Sequence, residues 1–259
     1  MRFWLGTHRP DWLEKTDVPL FLSRRRLTGR KRLPRAQGPW ALDSGGFTEL
    51  SEAGRWSITP REYVQEARRY RDEIGRLTFC APQDWMCEPA VRALTGLSVA
   101  AHQRRTTENY QELCALAPEL PWIPVLQGWA PGDYLEHVEQ YAKAGIPLAG
   151  LPVVGIGSVC RRQHTGEVEH VIRRLAGAGI HLHGFGFKVQ GLRNVGTFLA
   201  SADSMAWSFE GRRMAKAVCG GTHKNCANCL HWALTWRQRV ARLAEGQTHY
   251  QPALGLEGA

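Results

Sequence analysis

The sequence lacks a long hydrophobic run. No stretch of about 18 consecutive apolar residues occurs in its 259 residues, so it predicts no membrane-spanning helix. The opening segment from Met1 to Pro10 is too short and too polar to supply the apolar region of a secretory signal peptide. These two absences predict a protein that stays in the cytoplasm.

The chain also lacks the cysteine pattern of a small disulfide-bonded domain. It has seven cysteines, an odd number, and three of them fall between Cys219 and Cys229. Crowded thiols in a cytoplasmic protein are typical of a metal site rather than of disulfides. With 43% hydrophobic and 22% charged residues, the composition otherwise indicates an ordinary globular protein, and the length suits one barrel-type domain.

Acidic residues are absent from the most basic segment. Seven cations lie between residues 24 and 35 without an intervening carboxylate, namely Arg24, Arg25, Arg26, Arg30, Lys31, Arg32 and Arg35. A charge run is usually only a solvated surface, but the whole chain carries a formal charge of +9, and cations without counter-charges repel one another. Phosphates would relieve that repulsion, so we expect these seven residues to bind nucleic acid.

Strand-like apolar segments alternate with segments of helical periodicity along the chain. Predicted strands cover residues 2–5, 40–43, 77–81, 122–127, 148–154, 180–185 and 204–208, and predicted helices cover 63–74, 98–117, 132–144, 165–178, 189–201 and 226–244. The clearest helix start is Thr59-Pro60-Arg61-Glu62, with a hydroxyl cap, a proline and a glutamate at the favoured positions. The alternation predicts an α/β fold, a (β/α)8 TIM barrel over residues 1–210, followed by a zinc-binding segment and C-terminal helix over 211–259 that pack on the barrel.

Polar residues follow several predicted strands. The most informative stretch is Asp43-Ser44-Gly45-Gly46-Phe47, because two adjacent glycines let the backbone turn sharply or approach a flat ligand closely. Alone, such a stretch is more often a turn. Further polar or small residues stand at later strand ends: Asp84, Gln127, Gly155, His183 and Asp203. Since the carboxyl ends of barrel strands meet at one mouth, this series predicts a pocket there.

A short segment near the C-terminus carries metal-ligand chemistry. Four residues that can bind zinc lie within eleven positions, namely Cys219, His223, Cys226 and Cys229. A Cys-x2-Cys pair chelates one ion through a tight turn, and four protein ligands would make a closed, structural zinc site. His231 and His249 are rival fourth ligands, and free thiols in a loop are the simpler alternative.

These motifs together resemble those of the tRNA-guanine transglycosylases, and more closely the DNA-acting DpdA-type 7-deazaguanine transglycosylases. The resemblance is carried by the Asp-Ser-Gly-Gly-Phe motif, by Asp84, by Leu126-Gln127-Gly128, by the glycine-rich segment from Gly150 to Gly155, by Gly184-Phe185-Gly186 and by the zinc cluster. The chain departs from the tRNA enzymes at residues 203–208, where Asp203 is the single acid, and in the spacing of the zinc ligands.

The resemblance implies roles for the site residues. It makes Asp203 the nucleophile on the sugar and Asp43 the general acid/base, although the two roles are exchangeable at this stage. Asp84 would accept hydrogen bonds from N1–H and the 2-amino group of guanine. Gln127 and backbone amides near Gly155 would donate to its O6 oxygen, Phe47 would stack on the base, and Ser44, Gly45, Gly46, Gly128 and His183 would complete the substrate site.

The implied function is replacement of guanine in DNA by a 7-deazaguanine derivative, such as 7-cyano-7-deazaguanine, through a covalent aspartyl-sugar intermediate. The expected partners are DNA and the free base, and the sequence leaves a homodimer or companion modification proteins open. The alternatives are a tRNA-guanine transglycosylase and a non-catalytic zinc-containing nucleic-acid binder. A glycosidase acting on free nucleosides ranks last, because it leaves the basic segment unexplained.

Overall fold

All eight strands are parallel and belong to one curled sheet. The computed structural model describes residues 1–160, 162, 165–214 and 217–246. Within them the strands are β1 (Arg2–Thr7), β2 (Leu20–Ser23), β3 (Trp40–Asp43), β4 (Leu77–Cys80), β5 (Val125–Leu126), β6 (Val154–Ile156), β7 (Leu182–Gly184) and β8 (Leu199–Ser204). The strand order is β4-β3-β2-β1-β8-β7-β6-β5. The α/β barrel-type prediction is confirmed.

The sheet has a seam between its edge strands β4 and β5. Within the described residues a single bridge joins the two sides, between Cys80 and Trp122. In it the Cys80 amide donates to the Pro121 carbonyl at 2.9 Å, and the Ile123 amide donates to the Cys80 carbonyl at 3.1 Å. The eight strands therefore form a half-barrel that is open along this seam.

Helices follow the strands and cover the outside of the sheet. They are α1 (Gly46–Ala53), α2 (Pro60–Ile74), α3 (Pro89–Thr95), α4 (Val99–Leu116), α5 (Pro131–Lys143), α6 (Gly166–Gly177), α7 (Val189–Val195), α8 (Ala206–Arg213) and α9 (Leu230–Gly246). The predicted start of α2 is confirmed, because Thr59 and Glu62 each accept a hydrogen bond from the other's backbone amide. No helix in the described ranges is long and apolar enough to cross a membrane.

Side chains alternate between the two faces of the sheet. Trp4, Phe21 and Phe79 lie in an inner cluster, and the Trp4 and Phe79 rings are 5.3 Å apart although two strands separate β1 from β4. Such a contact requires a curved sheet with these rings inside it. The flanking Leu5 and Leu42 belong to the larger core that contains the helix side chains. Because aromatic rings fill the inside, the open space lies above them.

Several element boundaries differ from the sequence predictions. The four-residue strand β2 is missing from the predicted set, and so are the short helices α1, α3 and α8. Residues 204–208 are not a strand, since β8 ends at Ser204 and α8 begins at Ala206. The helix predicted over 189–201 ends at Val195, and a 3₁₀ turn leads into β8. Short elements leave too few residues for a periodic pattern to show.

The C-terminal helix packs back on the start of the sheet. The Trp236 ring of α9 lies 6.0 Å from the Phe3 ring of β1, and Arg237 donates to the Phe3 carbonyl at 3.1 Å. Trp232 and Trp236 belong to the same core as the strands. The division of the chain at residue 210 stays a prediction, and the part of it that falls on residues 247–259 lies outside the described residues.

Candidate active site and metal cluster

A cavity of about 790 Å³ lies at the carboxyl ends of the strands. Asp43 from the end of β3 and Asp203 from β8 line it, as do Asp84 and Gln127, which follow β4 and β5. Gly45, Gly46, Phe47, Arg25 and Arg26 also line it. The fold therefore brings together three carboxylates that are up to 160 residues apart in the chain, from Asp43 to Asp203.

The segment Asp43–Phe47 forms one wall of the cavity. Gly45 has a φ of +82°, which glycine adopts without strain, and α1 begins directly after it. A Cβ on Gly46 would lie 3.0 Å from the Trp56 ring and 3.4 Å from Asp84 Oδ1, so only glycine lets the backbone pass this close. Phe47 stands at the rim, with 54% of its surface exposed.

The pKa of Asp43 is raised to about 6, mainly by burial and also by the negative charge of Asp203. Hydrogen bonds from Ser23 and the Gly45 amide lower it and oppose part of this effect. Burial also raises the pKa of Asp84 to about 7, with Asp43 adding to the effect and the Gln127 hydrogen bond opposing it. Both carboxyl groups can therefore exchange protons near neutral pH.

A chain of polar contacts crosses the floor of the cavity. Gln127 Nε2 donates to Asp84 Oδ2, and Gln127 Oε1 lies 2.7 Å from Ser158 Oγ. The same hydroxyl lies 2.8 Å from Glu88 Oε2 and accepts a hydrogen bond from the Cys87 amide at 2.7 Å. The contacts thus run in the order Asp84, Gln127, Ser158, Glu88.

Two of the cavity residues that form these polar contacts, Ser158 and Glu88, were not among the predicted site residues. Ser158 is nearly fully buried and has a φ of +56°, a conformation that non-glycine residues rarely adopt. Gly157 precedes it, and a Cβ there would overlap the Gln127 amide. The signal available in the sequence was the pair of small residues Gly157-Ser158 directly after the apolar segment that contains β6.

Two groups contact one carboxylate oxygen of Asp203. Its Oδ1 accepts a hydrogen bond from the Gly186 amide at 2.9 Å, and His183 Nε2 lies 3.4 Å from the same oxygen. His183 Nδ1 lies 2.8 Å from Ser201 Oγ, which fixes the orientation of the ring. Among the described residues no hydrogen bond is formed by Asp203 Oδ2, so this oxygen is available on the cavity side.

His183, predicted as a substrate-binding residue, therefore lies beneath the cavity and is not among the residues that line it. The imidazole is fully buried, and the rings of Phe21, Phe79 and Phe185 surround it at 4.8 to 5.5 Å. Its Nε2 is a buried polar atom without a hydrogen-bond partner of good geometry. The Asp203 carboxylate is the acceptor that faces it, with Oδ1 at 3.4 Å.

Four potential metal ligands converge beside α8. One ligand atom from each of Cys219, His223, Cys226 and Cys229 lies within 4.8 Å of the other three. Cys219 Sγ is 3.2 Å from His223 Nε2 and 3.7 Å from Cys226 Sγ, separations that suit ligands of one tetrahedral ion. The cluster could hold a metal ion, and His223 is the histidine that lies with the cysteines. His231 lies on α9 outside this group, and His249 lies outside the described residues.

The metal cluster is tied to the cavity wall. Cys226 donates its amide to the Gly211 carbonyl of α8 at 3.1 Å, and Ser208 Oγ donates to the Ala227 carbonyl at 2.8 Å. Asn228 Oδ1 lies 2.5 Å from Nε2 of His8, which lines the cavity. The loop that carries the ligands therefore contacts both α8 and the end of β1.

The family described as DpdA, DeoxyPurine in DNA protein A, matches residues 1–256, which is nearly the whole chain. The chain belongs to the DpdA family. This membership supports a role of the DNA 7-deazaguanine transglycosylase type, and it confirms the resemblance found in the sequence. No curated protein matches the chain. Among solved structures, that of the YdjI aldolase from Escherichia coli K12 is similar at 10% identity over 95% of this chain and 89% of that chain, with a TM-score of 0.40.

Three residues predicted to bind substrate lie outside the cavity lining of this DpdA chain. The Gly155 amide donates to the Pro124 carbonyl within the sheet at 2.8 Å and so is not available to a base. Gly128 is buried against Tyr134. Ser44 is buried as well, and its carbonyl accepts a hydrogen bond from Arg24. Their part in binding substrate stays a prediction, and in this structure their backbone groups serve the sheet and the packing around it.

The basic segment of the DpdA chain does not form one surface. Arg24 is buried, with 3% of its side chain exposed, and pairs with Glu49 at 2.7 Å and Glu66 at 3.1 Å. The prediction that it binds phosphate is wrong. Arg35 donates to the Asp72 and Glu73 carbonyls near the end of α2, and Arg30 donates to the Arg26 carbonyl. Lys31 and Arg32 are exposed, and only Arg25 and Arg26 stand at the cavity.

Proposed function

We propose that the chain replaces guanine in DNA with a 7-deazaguanine derivative, such as 7-cyano-7-deazaguanine, through a covalent aspartyl-sugar intermediate. The observation that carries the proposal is the placement of Asp43 and Asp203 on one cavity with the Asp84–Gln127 pair, in a chain of the DpdA family. A cavity of about 790 Å³ has room for a nucleotide turned out of the helix.

Asp203 is the nucleophile in this proposal. Its Oδ1 is held by the Gly186 amide, and its Oδ2 is free to bond to C1′ of the target nucleotide. That bond forms as the C1′–N9 bond breaks, and the electron pair of the broken bond stays on guanine. The carboxylate then holds the sugar until the incoming base displaces it, so the exchange needs no external energy source.

Asp43 handles the protons. Its raised pKa of about 6 lets it give a proton to the departing guanine and take one from N9 of the incoming deazaguanine. Asp84 and Gln127 hold the base during both steps, with Asp84 accepting from N1–H and the 2-amino group. The buried His183 orients Asp203 through Oδ1 and does not touch the base.

The remaining site residues serve binding and structure. Arg25 and Arg26 contact the phosphates on either side of the turned-out nucleotide, and Phe47 at the rim stacks against a base. Cys219, His223, Cys226 and Cys229 would hold Zn²⁺. Four protein ligands leave no position for water or substrate, so the ion would supply structure to the loop beside α8 rather than chemistry.

The test is incorporation of labelled 7-cyano-7-deazaguanine into DNA by the purified protein, with tRNA as a parallel substrate. We expect label in DNA with the wild type, none with Asp203→Asn, and a loss of about a hundredfold or more with Asp43→Asn. Glu139→Gln, at an exposed position on α5, is the control for loss of one negative charge.

A denaturing gel separates the two carboxylate roles. A covalent DNA–protein species should form with the wild type or Asp43→Asn and be absent with Asp203→Asn. Label in tRNA and not in DNA would transfer the assignment to the tRNA enzymes. If no base is exchanged and all variants bind DNA equally, the chain is a binding protein.

A further inference from the structure

Helix α8 has one buried face and one exposed apolar face. Its buried residues are Trp207, Ser208 and Gly211. Met205, directly before the helix, and Phe209 instead have 41% and 60% of their surfaces exposed. Residues four positions apart lie on the same side of a helix, so these two side chains are neighbours, separated by about 6 Å along the helix axis. Two large apolar side chains together on one exposed face are typical of an interaction surface.

The exposed face of α8 begins at the mouth of the cavity. Met205 lines the cavity, and a Cβ on Gly6 of β1 would lie 2.8 Å from the Met205 side chain, so this side chain rests on the end of the strand. Phe209 is not among the described residues that line the cavity. The Phe209 ring therefore faces what lies outside the mouth rather than a base within the cavity.

The charges at the mouth favour a phosphate backbone outside the cavity. Alongside Arg25 and Arg26 the cavity is lined by five carboxyl groups, those of Asp43, Glu52, Asp84, Glu88 and Asp203. Helix α8 has the reverse balance, because Arg212 and Arg213 are exposed and Glu210 is its one acid. The Arg213 guanidinium lies 5.3 Å from the centre of the Phe209 ring. Phosphates would therefore lie over α8, and only an uncharged base would enter the cavity.

The loop that carries the metal ligands and helix α9 fix the position of α8. The Cys226 amide donates to the Gly211 carbonyl at 3.1 Å, and a Cβ on Gly211 would overlap the Cys226 carbonyl. The Trp207 indole donates to the Gly6 carbonyl at 2.8 Å, and the Trp232 indole of α9 donates to the Trp207 carbonyl at 2.9 Å. A side chain that separates stacked bases needs such support, because a mobile one would be displaced instead.

Building on the proposed function, we infer that Phe209 enters the base stack of double-stranded DNA at the position that the target guanine leaves. Apolar side chains such as phenylalanine, leucine and methionine unstack DNA in this way, and a filled gap keeps the turned-out nucleotide from returning. Met205 continues the apolar surface from the Phe209 ring to the cavity. Arg212 and Arg213 hold the phosphates beside the ring. Phe209 is thus a positioning residue, and the exposed face of α8 binds duplex DNA.

The fluorescence of 2-aminopurine tests this inference without base exchange. The analogue brightens when its stacking is broken, so it is placed next to each guanine in one strand of a DNA duplex. We expect the wild type and Phe209→Leu to raise the fluorescence by about twofold or more, since leucine also separates bases. Phe209→Ala should bind the duplex and leave the fluorescence near that of free DNA. Leu94→Ala, which removes an exposed apolar side chain from α3, is the matched control and should behave as the wild type.

Base exchange provides a second measurement. Labelled 7-cyano-7-deazaguanine is offered with the normal duplex and with the same duplex carrying abasic sites opposite its guanines. An unpaired guanine leaves the stack at a lower cost, so Phe209→Ala should lose about tenfold in kcat/KM on the normal duplex and little on the abasic one.

Wild-type fluorescence and wild-type kcat/KM in Phe209→Ala, or an equal loss of rate on paired and unpaired guanines, would overturn the inference. Loss of a dimer in Phe209→Ala, measured by sedimentation, would overturn it as well, because the exposed face would then bind a second copy of the chain. A fluorescence rise that depends on Phe209 in a protein that exchanges no base would contradict the proposed function alone.

Discussion

At the scale of single residues, the carboxylates that line the cavity have different environments. Asp43 and Asp84 are surrounded by protein and have raised pKa values of about 6 and about 7. Asp203 is buried as well, but its Oδ1 accepts a hydrogen bond from the Gly186 amide and lies 3.4 Å from His183 Nε2. Carboxyl groups with different environments can take different roles in one reaction. This difference is the physical basis for assigning proton transfer to Asp43 and attack on the sugar to Asp203.

Base binding should release protons from Asp84. Its pKa is about 7 because burial disfavours the charged form. The N–H groups of a bound base favour the carboxylate and lower that pKa, so roughly half a proton should leave per base bound at pH 7. Affinity should rise as the pH goes from 6 to 8. Calorimetry in buffers of different ionisation enthalpy measures the proton count, which Asp84→Asn should abolish; proton uptake by the wild type would contradict the assignment.

His183 should act on the rate and not on base binding. His183→Met keeps the size of the side chain but removes the N–H that faces Asp203 Oδ1 at 3.4 Å. We expect kcat to fall by about tenfold or more with an unchanged KM for the base, and His183→Gln to recover part of the rate by donating from its amide. Equal losses in both variants, or a change in KM alone, would indicate a packing role.

At the scale of elements, the segment from Arg24 to Arg35 shows how a charge pattern divides on folding. Arg24 is an internal ion-pair partner, Arg35 binds carbonyls at the end of α2, and Arg25 and Arg26 line the cavity. The acids that pair with Arg24 lie 25 and 42 residues later in the chain. The strand β2 and the 3₁₀ turn after it impose this division.

Variants of three arginines should separate these tasks. Arg24→Met removes the buried partner of Glu49 and leaves it the half-exposed Arg25 at 2.9 Å, so the free energy of unfolding should fall by about 3 kcal/mol. Arg26→Ala should leave stability unchanged while reducing the slope of log K for DNA against log salt by about one. Arg35→Ala is the matched control for lost charge and should keep the wild-type slope. Urea unfolding and DNA titrations at several salt concentrations provide the measurements, and an equal slope change for Arg26 and Arg35 would argue against a local phosphate contact.

The sequence predicted the elements that carry a local signal. Asp43–Phe47, the cap at Thr59 and the ligands from Cys219 to Cys229 were found because their chemistry lies within a few consecutive residues. Glu88 and Ser158 were missed because they meet across 70 residues, and nothing near either residue indicates the other. His183 is a related case: it lies on the inner face of β7 among the rings of Phe21, Phe79 and Phe185, and its depth below the cavity depends on how strands from distant parts of the chain pack, which alternation along one strand does not indicate.

At the scale of the whole molecule, the metal cluster and the cavity are parts of one structure. Asn228 contacts His8, Ser208 contacts the Ala227 carbonyl, and the Trp207 indole donates to the Gly6 carbonyl at 2.8 Å. Gly6 and His8 both line the cavity. A change in the ligand loop therefore reaches the cavity wall through two or three hydrogen bonds.

Removal of a proposed zinc ligand should destabilise this region. Cys226→Ser removes the buried ligand of the cluster and should abolish tight zinc binding, lowering the unfolding temperature by roughly 5 °C or more. Cys114→Ser, at a free cysteine on α4, should keep the metal and the wild-type temperature. Zinc content by a chromogenic chelator and thermal unfolding are the readouts. Equal zinc content in the two variants would show that the cluster is not the metal site.

The open seam means that a bound base could also stabilise the half-barrel. Asp84 follows β4 and Gln127 follows β5, so the two groups proposed to bind the base lie on opposite sides of the seam, near the Cys80–Trp122 bridge. A base that binds both groups would link the edge strands β4 and β5 across the seam. Amide hydrogen exchange at Cys80 and Ile123 should therefore slow when the base binds, while exchange in β1 and β8 stays constant. A base that binds both Asp84 and Gln127 would then reduce opening of the seam, and a base that binds only one of them would not.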